Sequence, residues 1–259
     1  MTSKIAIAFS GGWDSMITYF WLKHNGYKDE DLFLYTLRYG QPYEKEEINA
    51  IEILSEKYGF KVKQYNINLL DDMNSPDIVN PVIPARNLLI AYLGAFNCDT
   101  IAFSAPFGEH RFAEQKWNTQ DENPIAYQKM SEALSFLMGK KITVMNFVGH
   151  KTKSEWLSWL MDVGEYGNPS DWEFILRNTV SCYQDNYCGK CLACLLKWCM
   201  LKNNDLSIDD YFVNGFDIKS VPIQKAINGL EKLKDKINPS DIHYNNFLAR
   251  YRELQSALT

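Results

Sequence analysis

Three observations predict an α/β fold with a doubly wound, mostly parallel sheet. Short apolar segments of strand length alternate with helical patterns along the chain, the first strand runs into a Ser-Gly-Gly turn that opens a helix, and the alternation stops after a tight group of cysteines. Strands separated by helical segments pair in parallel, because a parallel partner needs a long crossover.

Residues 4–9, KIAIAF, make the first apolar strand, and residues 14–23 follow as a helix stopped near Gly26. DLFLYTLRYG is the second strand. The next helix spans 44–58, with Ile48, Ile51, Leu54 and Tyr58 on one face and Gly59 just past its end. KVKQYNI supplies a third strand. A helix over 86–96 follows Pro84, then a strand at 100–104, a helix at 126–138, a strand at 141–147 and a helix from about Thr152. Residues 205–259 change character: helical patterns at 223–237 and 239–257 are separated by Asn and Pro without strands between them. The expected division is an α/β domain over 1–180, a cysteine segment over 181–204 packed on it, and a helical extension over 205–259. No internal repeat or low-complexity tract interrupts this order.

Composition narrows the function classes. The 259 residues (30.0 kDa) are 46% hydrophobic and 14% aromatic with mean hydropathy −0.31, which excludes a disordered chain and supports one large core. A net charge of −5 and a pI near 5.5 provide no broad basic field for nucleic acid, so a small-molecule substrate is expected. No window reaches the roughly 18 to 20 apolar residues that span a bilayer. The first ten residues lack the long apolar core of a secretory signal, so a cytoplasmic protein is expected.

In IAFSGGWDSMITYF, residues Ser10, Gly11, Gly12, Asp14 and Ser15 lie between a buried strand and a helix. Two glycines allow a tight path and close ligand approach, and the N–H groups at a helix start attract an anion, so the turn suits phosphate. The plainer alternative is an ordinary strand-to-helix turn. No Lys follows the glycines and there is no G-x-G-x-x-G, which argues against γ-phosphate transfer and dinucleotide binding. Asp14 would repel phosphate directly and would act through Mg²⁺; otherwise it is a carboxylate at a helix N-terminus, worth about 0.3 to 1 kcal/mol.

Four cysteines crowd into 13 residues, Cys182-x5-Cys188-x2-Cys191-x2-Cys194. Four thiolates at this spacing match a closed, structural Zn²⁺ site, since a catalytic zinc keeps a position for water. Cys98 and Cys199 fall outside the pattern and are expected in the core. A zinc knuckle could instead bind nucleic acid, but CGKCLACLLKWCM continues into an apolar helix, which favours packing on the host domain.

SGGWDS resembles the SGGxDS signature of the N-type ATP pyrophosphatases, the PP-loop superfamily with its adenine nucleotide alpha hydrolase-like fold, whose loop grips the pyrophosphate end of ATP during adenylation. Four further segments, spread over most of residues 4–200, are similar to the 7-cyano-7-deazaguanine synthase family. They are LRYGQPYEKEEINA with Tyr39, Gly40, Gln41, Glu46 and Ala50; VIPARNLLI with Pro84, Arg86 and Asn87; Lys153 at the start of a late helix; and TVSCYQDNYCGKCLAC. Each has a plainer reading. Tyr-Gly-Gln can be a turn, Arg86 and Asn87 an exposed helix start, and Lys153 a surface lysine; their joint order along the chain carries the resemblance. Three departures fall near the expected base pocket: Pro42 and Tyr43 stand where the family has a His, Val180 replaces a Trp, and the Pro-Asp-Cys-Arg segment is absent, with Asp121 as its only candidate remnant.

The resemblance implies a ligase that converts 7-carboxy-7-deazaguanine, ammonia and ATP to 7-cyano-7-deazaguanine through adenylated intermediates. It implies ATP, Mg²⁺ and structural Zn²⁺ as cofactors, and a possible homodimer. Asp14, Ser15, Lys153 and Arg86 are the catalytic candidates. Ser10, Gly11, Gly12, Asp14, Ser15, Tyr39, Gln41 and Asn87 are the nucleotide and substrate candidates, and Cys182, Cys188, Cys191 and Cys194 the metal ligands. Trp13, Tyr39, Phe107 and Trp117 are candidate stacking surfaces, against a default of core packing in an aromatic-rich chain. Two alternatives stay open: a related ATP pyrophosphatase acting on another carboxylate or on a tRNA base, and a non-catalytic, zinc-stapled nucleotide or nucleic-acid binding module.

Overall fold

The computed structural model describes residues 4–41, 43–67, 85–106, 124–163, 171–182, 187–208, 211–241 and 244–259, and the backbone of 112–113 and 116–117. In chain order the elements begin with β1 (Ile5–Ala8), α1 (Trp13–His24), β2 (Leu32–Arg38), α2 (Glu44–Tyr58), β3 (Val62–Asn66), α3 (Arg86–Ala95) and β4 (Thr100–Phe103). They continue with β5 (Phe112–Ala113), β6 (Lys116–Trp117), α4 (Pro124–Met138), β7 (Thr143–Asn146), α5 (Lys153–Val163) and α6 (Asp171–Asn178). The last are α7 (Leu192–Lys202), α8 (Val221–Lys234) and α9 (Tyr244–Leu258). The chain forms two compact units. The first comprises Met1–Ser104, Asp121–Val148 and Asn178–Tyr183, and the second comprises Ala105–Gln120, Gly149–Arg177 and Gln184–Thr259.

The first unit holds a five-stranded sheet in the order β3-β2-β1-β4-β7, with every pairing parallel. The expected α/β class is the observed one. Ile5, Ala6 and Ile7 are buried on both faces of β1, as a central parallel strand requires. Tyr35, Ala91, Ile101, Leu134 and Val144 bring β2, α3, β4, α4 and β7 into one core. Strand order runs outward from β1 in both directions, so the β1/β4 boundary is the topological switch point where open α/β sheets bind ligands at the carboxyl ends of their strands. Across that boundary Thr18 Oγ1 donates to Ser104 Oγ at 2.8 Å.

Among its described residues the second unit is helical, apart from the short antiparallel pair β5–β6. Its core joins Trp156 and Leu157 of α5, Leu195 and Leu201 of α7, Ile223 of α8, and Phe247 and Leu254 of α9. The spacing of apolar residues predicts α2 to the residue. By contrast, α4 starts at Pro124, since proline suits a first helical turn, and α9 starts at Tyr244 rather than 239. The short helix α6 and the two-residue strands β5 and β6 have no counterpart among the predicted elements, because elements so short display no period. Cys98 and Cys199 are buried, as expected. Among the described residues no helix is long and apolar enough to cross a membrane.

Candidate active site and metal centre

The Ser10–Ser15 turn sits at the carboxyl end of β1, at the switch point. Gly11 has φ +73°, and a Cβ there would lie 3.0 Å from Glu47 O and 3.1 Å from Ala50 Cβ, so α2 packs directly on the turn. Gly12 is the N-cap of α1, and its amide faces Ser10 Oγ at 3.4 Å. The Ser15 hydroxyl donates to Gly12 O at 2.9 Å. The helix ladder begins with Met16 N–H to Gly12 O (3.2 Å), so the amides of the preceding turn point out of the positive end of α1. Val180 holds the turn from behind: its N–H donates to Gly11 O at 3.1 Å, and its carbonyl would lie 3.0 Å from a Gly12 Cβ. The family's Trp is replaced here at a position whose contact with the turn is made by backbone.

The Tyr39-Gly40-Gln41 turn is tied to α2. Gln41 is buried; its Oε1 accepts from Tyr39 N–H at 3.0 Å and its Nε2 donates to Glu47 Oε2 at 2.7 Å. Arg38 clamps Glu44 Oε1 through Nε at 3.0 Å and Nη2 at 2.6 Å, while Gly40 N–H donates to Glu44 Oε2 at 3.2 Å. Tyr39 and Tyr43 are buried with their hydroxyls 3.2 Å apart, so Tyr43, in the family's His place, closes on Tyr39. Burial pushes the Glu47 carboxyl up to about 7; Gln41 and the Arg86 charge pull it down, and Glu44 and Glu46 push it up. Arg86 and Asn87 open α3, and Asn87 is buried. The N-cap before them, Ala85, has φ 57°, a left-handed conformation that costs a non-glycine residue about 1 to 2 kcal/mol. Strain of this kind concentrates at ligand clamps.

In the second unit Lys153 is the first residue of α5 and only 7% exposed, in contrast to the surface lysine its sequence context suggests. A cation at a helix N-terminus opposes the dipole, and burial compounds the cost. Trp13 is buried in α1; Pro42, Pro84, Phe107, Asp121 and the side chain of Trp117 lie outside the described residues.

The Sγ atoms of Cys182, Cys188, Cys191 and Cys194 lie within 4.8 Å of one another. Cys188 and Cys191 stand 3.9 and 3.5 Å from Cys194, close to the roughly 3.8 Å edge of a tetrahedron with metal–sulfur bonds of about 2.3 Å. Gly189 N–H donates to Cys194 Sγ at 3.3 Å, and Cys191 is the N-cap of α7; both arrangements favour thiolates. The four sulfurs can hold a metal ion. Three residues after Cys194, Lys197 is buried, donates to Leu176 O, and lies 4.0 Å from the ring centroid of Tyr187 and 5.3 Å from that of Tyr211. Burial lowers its pKa, with the Lys153 charge acting in the same direction. Nothing in its apolar helical sequence marks it, and Glu47 reads as one more solvated acid of α2; both gain their environments only on folding.

The family model for "Queuosine biosynthesis protein QueC" matches residues 4–204. The chain belongs to the QueC family. A 7-cyano-7-deazaguanine synthase from Rickettsia canadensis (strain McKiel) is 27% identical over 237 residues, covering 78% of this chain and 96% of its own. Among solved structures, the U34-tRNA thiolase NcsA from Methanococcus maripaludis with its [4Fe-4S] cluster aligns over 99% of this chain and 73% of its own, at 14% identity and a TM-score of 0.41. A superposition that loose transfers neither detail nor chemistry. Membership in the QueC family makes the chain an enzyme connected, at family level, with queuosine biosynthesis.

Proposed function

We propose that this QueC-family enzyme is an ATP-dependent ligase that makes 7-cyano-7-deazaguanine from 7-carboxy-7-deazaguanine and ammonia. The observation that carries the reading is the Ser10–Ser15 turn: a glycine turn at a strand's carboxyl end, at the switch point, opening onto the N-terminus of α1. A carboxylate oxygen is a poor leaving group, and adenylation turns it into AMP. The substrate carboxylate attacks the α-phosphate, pyrophosphate departs toward the turn and the α1 amides, and ammonia displaces AMP to give the amide. The amide oxygen then attacks the α-phosphate of a second ATP and releases pyrophosphate; loss of both N–H protons and of AMP leaves the nitrile. Ser10, Gly11, Gly12 and Ser15 stabilise the departing pyrophosphate, and Lys153 and Arg86 neutralise phosphate charge. Tyr39, Gln41 and Asn87 shape the nucleotide and substrate pocket. Asp14 would hold Mg²⁺, which supplies charge neutralisation at the phosphates when bound.

The four cysteines would hold Zn²⁺ as a closed structural site within the 181–204 segment, between an ATP pyrophosphatase domain over 1–180 and the 205–259 extension. The lack of a secretory-signal pattern in the first ten residues supports action in the cytoplasm, and the family resemblance supports a homodimer. Mass spectrometry after incubation with 7-carboxy-7-deazaguanine, ATP, Mg²⁺ and ammonium tests the reading: two AMP per nitrile is expected. Pyrophosphate release only with a different acid would move the chain to a sibling adenylating activity, and none with any acid would leave a binding module. Metal analysis of the purified protein is expected to find one zinc per chain; iron with sulfide in its place would refute the zinc assignment.

A further inference from the structure

The family match ends at residue 204, and α9 lies wholly beyond it. Within the second unit α9 is bonded to the first turn of α5. That turn opens with a capping box: Thr152 N–H donates to Glu155 Oε2 at 2.7 Å, and Glu155 N–H to Thr152 Oγ1 at 3.3 Å. The amide between them in the turn, Ser154 N–H, donates to Glu253 Oε1 of α9 at 3.0 Å, and the Ser154 hydroxyl donates to the same oxygen. Asn203 Nδ2, at the C-cap of α7, donates to Ser154 Oγ at 3.3 Å and to Glu253 O at 2.9 Å, while Asn204 Nδ2 donates to Ser154 O at 3.1 Å. Arg250 Nη1 stands 3.3 Å from Glu253 Oε2, with both side chains under a tenth exposed.

A buried carboxylate is costly unless its oxygens are bonded, and here one oxygen serves Arg250 and the other serves Ser154. Its charge at the N-terminus of α5 has the sign the dipole favours, opposite to the adjacent Lys153. We propose that Glu253 is a positioning residue for Lys153: α9 braces the first turn of α5 and so fixes the backbone that carries the lysine. The proposal rests on the role given to Lys153 above. It also assigns the extension a task inside the reaction, since the acid of the brace, Glu253, and its Arg250 partner lie outside the family match.

The test uses the full chain with Glu253→Ala, Glu253→Gln, Lys153→Met and the Glu253→Ala/Lys153→Met double variant. AMP formation is measured with 7-carboxy-7-deazaguanine, ATP and ammonium, alongside hydrogen exchange at the Ser154 amide. Glu253→Ala is expected to lower kcat about tenfold at unchanged KM for the deazapurine, because a displacement near 1 Å can cost as much as about a hundredfold. Glu253→Gln, whose amide oxygen still accepts from Ser154, stays within about threefold of wild type. In the Lys153→Met background Glu253→Ala has no further effect on turnover. Ser154 exchange accelerates about tenfold or more in Glu253→Ala and stays unchanged in Lys153→Met. Where Glu253→Ala does not fold, Glu253→Asp withdraws the carboxylate by one methylene and is expected to change exchange and kcat in the same directions. Equal slowing of the wild-type and Lys153→Met proteins overturns the positioning role, and unchanged Ser154 exchange overturns the brace whatever the turnover. Wild-type turnover in Lys153→Met, with Ser154 exchange still dependent on Glu253, removes Lys153 from the reaction and leaves the brace as structure alone.

Discussion

The Ser10–Ser15 turn and the cysteine knuckle are both built on a glycine at φ +73°, Gly11 in one and Gly189 in the other, yet they enclose opposite kinds of space. At Gly11 the nearest atoms to a would-be Cβ are 3.0 to 3.2 Å away, tight contacts that α2 could relieve by a few tenths of an ångström. At Gly189 the carbonyl oxygen of Gly215 is 1.9 Å away, and no side chain fits. The turn directs the first amides of α1 outward, whereas Gly189 N–H points inward at Cys194 Sγ. Outward donors suit a ligand that comes and goes. Inward donors suit one that stays.

The contrast orders the effects of substitution. Gly189→Ala should be the most damaging, with loss of bound metal and more than about 4 kcal/mol of stability, since backbone must move and the thiolates lose their arrangement. Metal content and thermal melting check this, and a metal-replete Gly189→Ala at wild-type Tm would break the contrast. Gly11→Ala should cost less, about 3 kcal/mol from left-handed strain and pressure on α2, with metal content unchanged and the KM for ATP raised at least about tenfold. A Gly11→Ala protein that binds ATP normally would show that the turn is no phosphate site.

Val180 sharpens the comparison further. Because it holds the turn through its N–H and carbonyl, Val180→Ala should stay within about 1 kcal/mol of wild type, whereas Val180→Pro, which removes the donor to Gly11 O, should lose about 2 to 3 kcal/mol and weaken ATP binding. Equal losses, measured by denaturant titration, would assign the role to the side chain instead. The smallest effect belongs to Glu47. Burial holds its carboxyl up at about 7, so between the ordinary carboxylate value and about 7 the folded chain keeps a proton that the unfolded chain has released. The associated stability is complete below the ordinary value and is lost as pH rises through about 7. Glu47→Gln should flatten the decline between about pH 5 and about pH 7.5 and gain about 1 to 2 kcal/mol at about pH 8. A variant as pH-sensitive as wild type would place the titration elsewhere.

Parts of both regions are legible in the chain itself. Ser-Gly-Gly after an apolar strand marks the turn, and the cysteine spacing brings four sulfurs within reach of one ion. Ile48, Ile51 and Leu54 followed by Gly59 bound α2 correctly, because a helix is a repeating local pattern with a local stop. Lys153 is legible as a residue type and not as an environment: its burial depends on the fold of the second unit, and the acid bonded to the Ser154 amide beside it comes from α9.

The same division holds across the molecule. Element type, the Ser-Gly-Gly turn and the grouping of four cysteines follow from neighbours close in sequence, whose spacing sets periodicity, backbone freedom and ligand reach. Strand order, the switch point, the elevated Glu47 carboxyl, the buried Lys197 and the Glu253–Ser154 brace arise only when distant segments meet. Burial and hydrogen-bond partners, which decide what a charge costs and what it can do, are properties of that meeting rather than of any residue alone.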